Sequence, residues 1–264
     1  SATIARNGGR DNAFTSQDYT GYTTSFAADR LDLILKLEAD RMTSLRLTPE
    51  DIEPERGVVL EERLMRTDNN PGAQLSEQAA AAIYANHPYR IPIIGWEHEI
   101  RDITRTDLLD FYKAWYTPNN AVIVISGDVE TASVREQVER HFGQISSRPL
   151  PKRPQWKEPP RNADRLVALS HPHVKQPSWS RRYIAPNAAS GDTEQVHALE
   201  VLSEILSGGT TGRFYRQLVV EQALAAHSGS WYSSDNRGPG VFGFYGSPRP
   251  GKTLDEIETA VDAQ

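Results

Sequence analysis

The stretch that most constrains this chain runs from Ser146 to Arg161. It holds five prolines among charged residues, with little apolar content. Proline fixes φ and has no N–H to donate, so such a run cannot be built into the interior of a helix or sheet. It reads as a linker, which predicts a first domain over 1–145, a linker over 146–162 and a second domain over 163–264. Strands followed by paired helices occur on both sides of it, without a strict repeat. The expected fold class is α+β: two related domains of mixed or antiparallel sheet layered with helices. The chain starts at Ser1 and stops at Gln264 inside an apparent helix carrying Leu254, Ile257, Ala260 and Val261. Both domains are therefore expected to be incomplete, and the chain to be a fragment.

Composition excludes some functions. The chain has 264 residues, a net charge of −6 and no basic stripe, which disfavours a nucleic-acid partner. It has no cysteine, so disulfides and thiolate metal sites are excluded. No apolar run is long enough to span a membrane.

Local signals order the elements. Asn12–Ser16 and Tyr19–Phe26 are rich in Thr and aromatics and predict two joined strands. Asp29–Arg46 predicts a mostly buried helix, and Gln74–Tyr84 an Ala-rich one. Thr104 with Asp107 predicts a cap for a helix reaching about Trp115. The run Ala121–Ser126 predicts a buried strand. Beyond the linker, Leu166–Leu169 and Ser178–Ile184 predict strands, and Thr193–Ser207 an amphipathic helix closed by Gly208-Gly209. Gly212–Gln222 predicts another helix. Ala225–Ser233 and Val241–Ser247 predict an antiparallel pair.

The stretch Thr48–Arg66 predicts an acidic helix. Thr48 suits the cap, Pro49 the first turn, and Glu50 and Asp51 the positive end of the dipole. Pro54 is a candidate kink. Glu55 and Glu62 are seven residues apart, which brings them within about 20° of each other on one face, two turns apart. Taken alone, this is a solvated helix with scattered acids.

Its surroundings change that reading. Asn12-Ala13-Phe14-Thr15-Ser16, Asp29 to Met42 and Glu55-Arg56-Gly57-Val58-Val59-Leu60-Glu61-Glu62 together resemble the pitrilysin/insulinase family of zinc peptidases, the inverzincins. Pro88-Tyr89, Tyr116 to Asn120, Gly127-Asp128-Val129 and Leu206 to Gly209 fit the same pattern in the same order. In that family a helix carries H-x-x-E-H, whose histidines bind zinc and whose glutamate activates water. The resemblance implies that Glu62 is the third zinc ligand and Glu55 a supporting acid. It implies that Asn12, Ala13, Phe14 and Thr15 form an edge strand to which an extended substrate adds. Family spacing would put the second histidine about fourteen residues before Ser1. No H-x-x-E-H occurs in the chain, so the parent is expected to be a bacterial zinc metalloendopeptidase and the fragment to be inactive, with no zinc of its own.

Val219 and Ala226 stand where the resemblance would place an arginine and a tyrosine. That implies the zinc-bearing half of a homo- or heterodimer whose related partner supplies the pair. The rival expectation is a non-catalytic structural or processing-partner subunit of the same family. The compartment is expected to be bacterial periplasm or cytoplasm, with periplasm favoured. His171 and His173 share a strand-like spacing, but no third ligand lies near them in sequence and they read as a surface pair.

Overall fold

A computed structural model describes residues 2–264. Packing divides them into two units. The first holds the residues up to Arg63 together with Ile93–Gln155, and the second holds Leu64–Pro92 together with Trp156–Gln264. This division cuts across the one drawn from sequence, because residues 64–92 pack with the C-terminal part of the chain.

The first unit opens with a short helix, α1 (Ala2–Arg6), and a hairpin of β1 (Arg10–Thr15) and β2 (Thr20–Ser25). The hairpin register pairs Asn12 with Thr23 and Phe14 with Gly21. A side chain at position 21 would meet the Phe14 ring, which lies over the glycine. Helices α2 (Leu31–Thr43) and α3 (Pro49–Arg63) follow. Two more, α5 (Glu97–Asp102) and α6 (Arg105–Trp115), come after α4 (Pro71–Ile83), which belongs to the second unit. The last helix of the first unit is α7 (Thr131–Phe142), packed on α2. Leu31, Ile34, Leu35 and Ala39 form the buried stripe of α2, at the helical spacing expected of an inward face.

The expected caps form. Thr104 Oγ1 accepts the N–H of Asp107 at 3.2 Å, and the Asp107 carboxylate in turn accepts from the Thr104 N–H at 2.8 Å. Pro54 does not end α3, which runs through it over a total length of fifteen residues.

The second unit is built on a three-stranded antiparallel sheet of β3 (Trp179–Ala185), β4 (Ala225–Tyr232) and β5 (Gly240–Pro248), in the order β3-β5-β4. Helix α8 (Val196–Ser207), a wide helical turn over Tyr215–Glu221 and α9 (Leu254–Asp262) pack on it. Phe214, Leu218, Ala225, Phe242 and Ile257 form its core. Ile83, Tyr84 and Tyr89 make a smaller cluster against Ile184 and Val241. This cluster is why residues 64–92 belong to the second unit. Glu158 fixes the proline-rich stretch to the same place, accepting the N–H groups of Ala85 at 2.7 Å, Asn86 at 2.9 Å and His87 at 2.5 Å.

Two expected strands are absent. Ala121–Ser126 has no ladder partner among the described residues, and Val122 and Val124 are 89% and 85% exposed. Leu166–Leu169 likewise forms no strand, and Leu166 is 92% exposed. Apolar composition favours a buried strand only when a neighbouring strand is there to pair with it, and here none is.

Candidate functional site

The two sequence-predicted glutamates lie on α3. Asp51 caps its start, its carboxylate accepting from both the N–H and the hydroxyl of Thr48 at 2.8 Å. Those bonds hold the Asp51 carboxyl below its ordinary value, the backbone bond contributing most. The buried face of α3 carries two arginines. Ile52 and Arg63 are buried, and Arg63 donates from Nη1 to the Gly95 carbonyl at 2.8 Å. Arg56 donates from Nη2 to the Ile103 carbonyl at 2.5 Å. Gly95 precedes α5 and Ile103 follows it, so the two guanidiniums tie α3 to both ends of α5.

Arg56 and Arg63 keep the same seven-residue spacing as Glu55 and Glu62, displaced by one residue. One residue is about 100° of helix rotation, so the glutamate stripe is carried round from the anchored stripe toward the open side. Glu55 is exposed and Glu62 half-buried. Sequence reading missed the arginine stripe, because arginine on an acidic helix reads as a surface residue. Its signal was the continuation of the Ile52 and Val59 positions through Arg56 and Arg63 at helical spacing.

The other predicted site residues, Asn12, Ala13, Phe14 and Thr15, lie on β1, which is exposed along its whole length. Among the described residues β1 pairs only with β2, so its outer edge is open to a further strand. The direction of its backbone groups follows from the turn. The Ser16 N–H donates to the Tyr19 carbonyl at 2.9 Å, and hydrogen-bonded pairs recur at every second residue of an antiparallel ladder. Phe14 and Asn12 therefore bond inward to β2, while the backbone groups of Asp11, Ala13 and Thr15 point to the outer edge. Phe14 stands on the sheet face, 48% exposed, with its ring edge-on to Tyr19 at 5.6 Å between centroids.

The remaining expectations fall as follows. Val219 lies in the core of the second unit, and Ala226 is exposed where the register of β4 shifts. Gly208 caps α8, its N–H donating to the Glu204 carbonyl at 2.7 Å, and Gly209 takes a φ of 65°. His171 and His173 are neighbours, 4.9 Å between ring centroids. Among the described residues no group of three or more His, Cys, Asp or Glu is disposed to hold a metal ion. The described residues alone therefore do not supply a set of donors that fits a zinc ion. No helix among the described residues is long and apolar enough to cross a membrane.

The chain is similar to several known proteins. Residues 1–96 match the family model described as insulinase (peptidase family M16), and residues 102–264 match the model described as peptidase M16 inactive domain. The chain is 31% identical over 263 residues to a protein named zinc protease PqqE from Helicobacter pylori, covering 98% of this chain and 58% of that protein. The crystal structure of a protease from Helicobacter pylori superposes with a TM-score of 0.88 at 30% identity, over 99% of this chain and 62% of that one. An M16-like peptidase from Alicyclobacillus acidocaldarius superposes with a TM-score of 0.80 at 26% identity, over 99% and 61%. The chain thus spans about three-fifths of the length of the relatives it matches.

Proposed function

Because this chain belongs to the M16 (insulinase/pitrilysin) peptidase family, we propose that its parent polypeptide is a zinc metalloendopeptidase that takes an extended peptide as an added strand along the outer edge of β1. The observation that carries this reading is the open edge of β1, with the backbone groups of Ala13 and Thr15 turned outward beside an exposed Phe14. Main-chain pairing gives affinity for any extended peptide, and the sheet face supplies side-chain preference. Glu62 supplies one zinc-ligating carboxylate and Glu55 supports it. In this reading the remaining zinc ligands are the two histidines of an H-x-x-E-H motif elsewhere in the parent polypeptide.

The same proposal assigns residues 1–145 to the zinc-site domain, 146–162 to the linker and 163–264 to the second, peptidase-like domain. Val219 and Ala226 support a requirement for a related partner subunit: an aliphatic core residue and an alanine cannot donate hydrogen bonds from their side chains to a substrate carbonyl. A periplasmic location belongs to the proposal as well.

The test is zinc content and peptide cleavage by the parent polypeptide, alone and mixed with a related subunit, with Glu62→Gln as control. The reading expects bound zinc, cleavage only in the mixture, and loss of both zinc and cleavage in Glu62→Gln. Full cleavage by the unmixed polypeptide overturns the partner requirement. Unchanged zinc in Glu62→Gln overturns the role of Glu62.

A further inference from the structure

The outer edge of β1 is not equally open at every donor. The Ala13 N–H, which points to that edge, already has an acceptor: Oδ1 of its own neighbour Asn12, at 2.9 Å. Asn12 bonds inward to β2 through its backbone, so its carboxamide is the one part of it that reaches the outer side. An added strand would place a carbonyl where Oδ1 now sits, because an edge N–H has room for one good acceptor.

We propose that Asn12 is a positioning residue that locks this edge: its carboxamide occupies the Ala13 N–H and must swing away before an extended peptide can pair there. The inference rests on the strand-addition reading given above and adds to it a cost of entry. The bond is exposed, so it is of the modest, exchangeable kind, and the lock is a weak one. It also gives the exposed edge a defence. A row of unpaired donors and acceptors is a template for pairing with other chains, and filling its central donor from within weakens that template. A peptide long enough to pair on both sides of Ala13, at Asp11 and Thr15, offsets the cost of displacing Oδ1, whereas a short contact does not. The device therefore selects for extended, unfolded segments.

The experiment uses the parent polypeptide in the presence of a chelator, to prevent cleavage. Binding is read by fluorescence anisotropy of a fluorescein-labelled ten-residue peptide of alternating Val and Thr, and of the same peptide N-methylated at every residue, so that neither of its edges can donate. Wild type is expected to bind the first and not the second. Asn12→Ala should bind the first about three- to tenfold more tightly, the value of one neutral hydrogen bond. Asn12→Asp, whose carboxylate accepts the same bond, should bind no more tightly than wild type. Amide exchange at Ala13 should quicken in Asn12→Ala and stay slow in Asn12→Asp, which separates a lost lock from a damaged fold. Equal or weaker binding by Asn12→Ala, with the N-methylated peptide still rejected, overturns the lock and leaves strand addition standing. Binding of neither peptide, or of both alike, overturns strand addition itself.

Discussion

Arg63 donates from its guanidinium to the Gly95 carbonyl at 2.8 Å, although it lies on an acidic helix, and it is only 6% exposed. Gly95 reaches that position with a φ of 88°, in the left-handed region that glycine enters without strain. The contact sets the rotation of α3, and with it where Glu62, the preceding residue, can point.

Replacing Arg63 with Met keeps much of the length and removes the donor. The Gly95 carbonyl then loses a charge-assisted bond, which costs about 1–3 kcal/mol. Urea unfolding of the parent polypeptide should show that loss, and Arg63→Lys should recover only part of it because an ammonium cannot reproduce the planar fork.

Glu158 predicts a pH dependence. Burial pushes its carboxyl up, but the N–H bonds from Ala85, His87 and Asn86 together outweigh burial and leave it below its ordinary value of 4.5. A carboxyl depressed in the folded state contributes stability above its unfolded value and loses it as pH falls through the folded one. The docking of the proline-rich stretch should therefore hold at neutral pH and loosen below about pH 4.5. Limited proteolysis within residues 156–162 should be faster in Glu158→Gln than in wild type at pH 7, and the difference should shrink in acid.

The residues that were legible in sequence and those that were not divide on physical grounds. The Thr104 and Asp107 cap, the β1–β2 hairpin and α8 with its glycine stop are local devices, so the residues that make them lie side by side in the chain. Ala121–Ser126 and Leu166–Leu169 carry strand-like side chains, but a strand also needs a neighbour, and the described residues supply none. Arg56 and Arg63 were missed because their carbonyl partners, Ile103 and Gly95, lie far along the sequence. Asn12–Thr15 and Glu62 were named as site residues by resemblance. The structure adds which backbone groups of β1 face outward, a fact that depends on the turn at Ser16 and Tyr19.

Ile257 is fully buried in the sheet-and-helix core of the second unit. Ile257→Ala should cost about 2–5 kcal/mol, from lost burial plus the cavity left behind. Calorimetry should register it as a lower melting temperature.

Asn70 caps α4, its side-chain oxygen accepting the N–H groups of Gly72 at 3.0 Å and Ala73 at 3.2 Å. Asn70→Ala should cost about 1 kcal/mol, and Asn70→Asp should cost less, since a carboxylate also suits the positive end of the helix dipole. Thermal unfolding of the two variants side by side checks the order.

The most direct test of peptide capture by strand addition is residue-resolved amide exchange along β1, with and without a bound extended peptide. The outward amide of Thr15 should slow when the peptide binds, and that of Ala13 should slow further as a strand carbonyl replaces the weak, exposed bond to Asn12, while those of Asn12 and Phe14, already bonded to β2, should not change. Protection without that alternation, or confined to residues away from β1, would contradict the account.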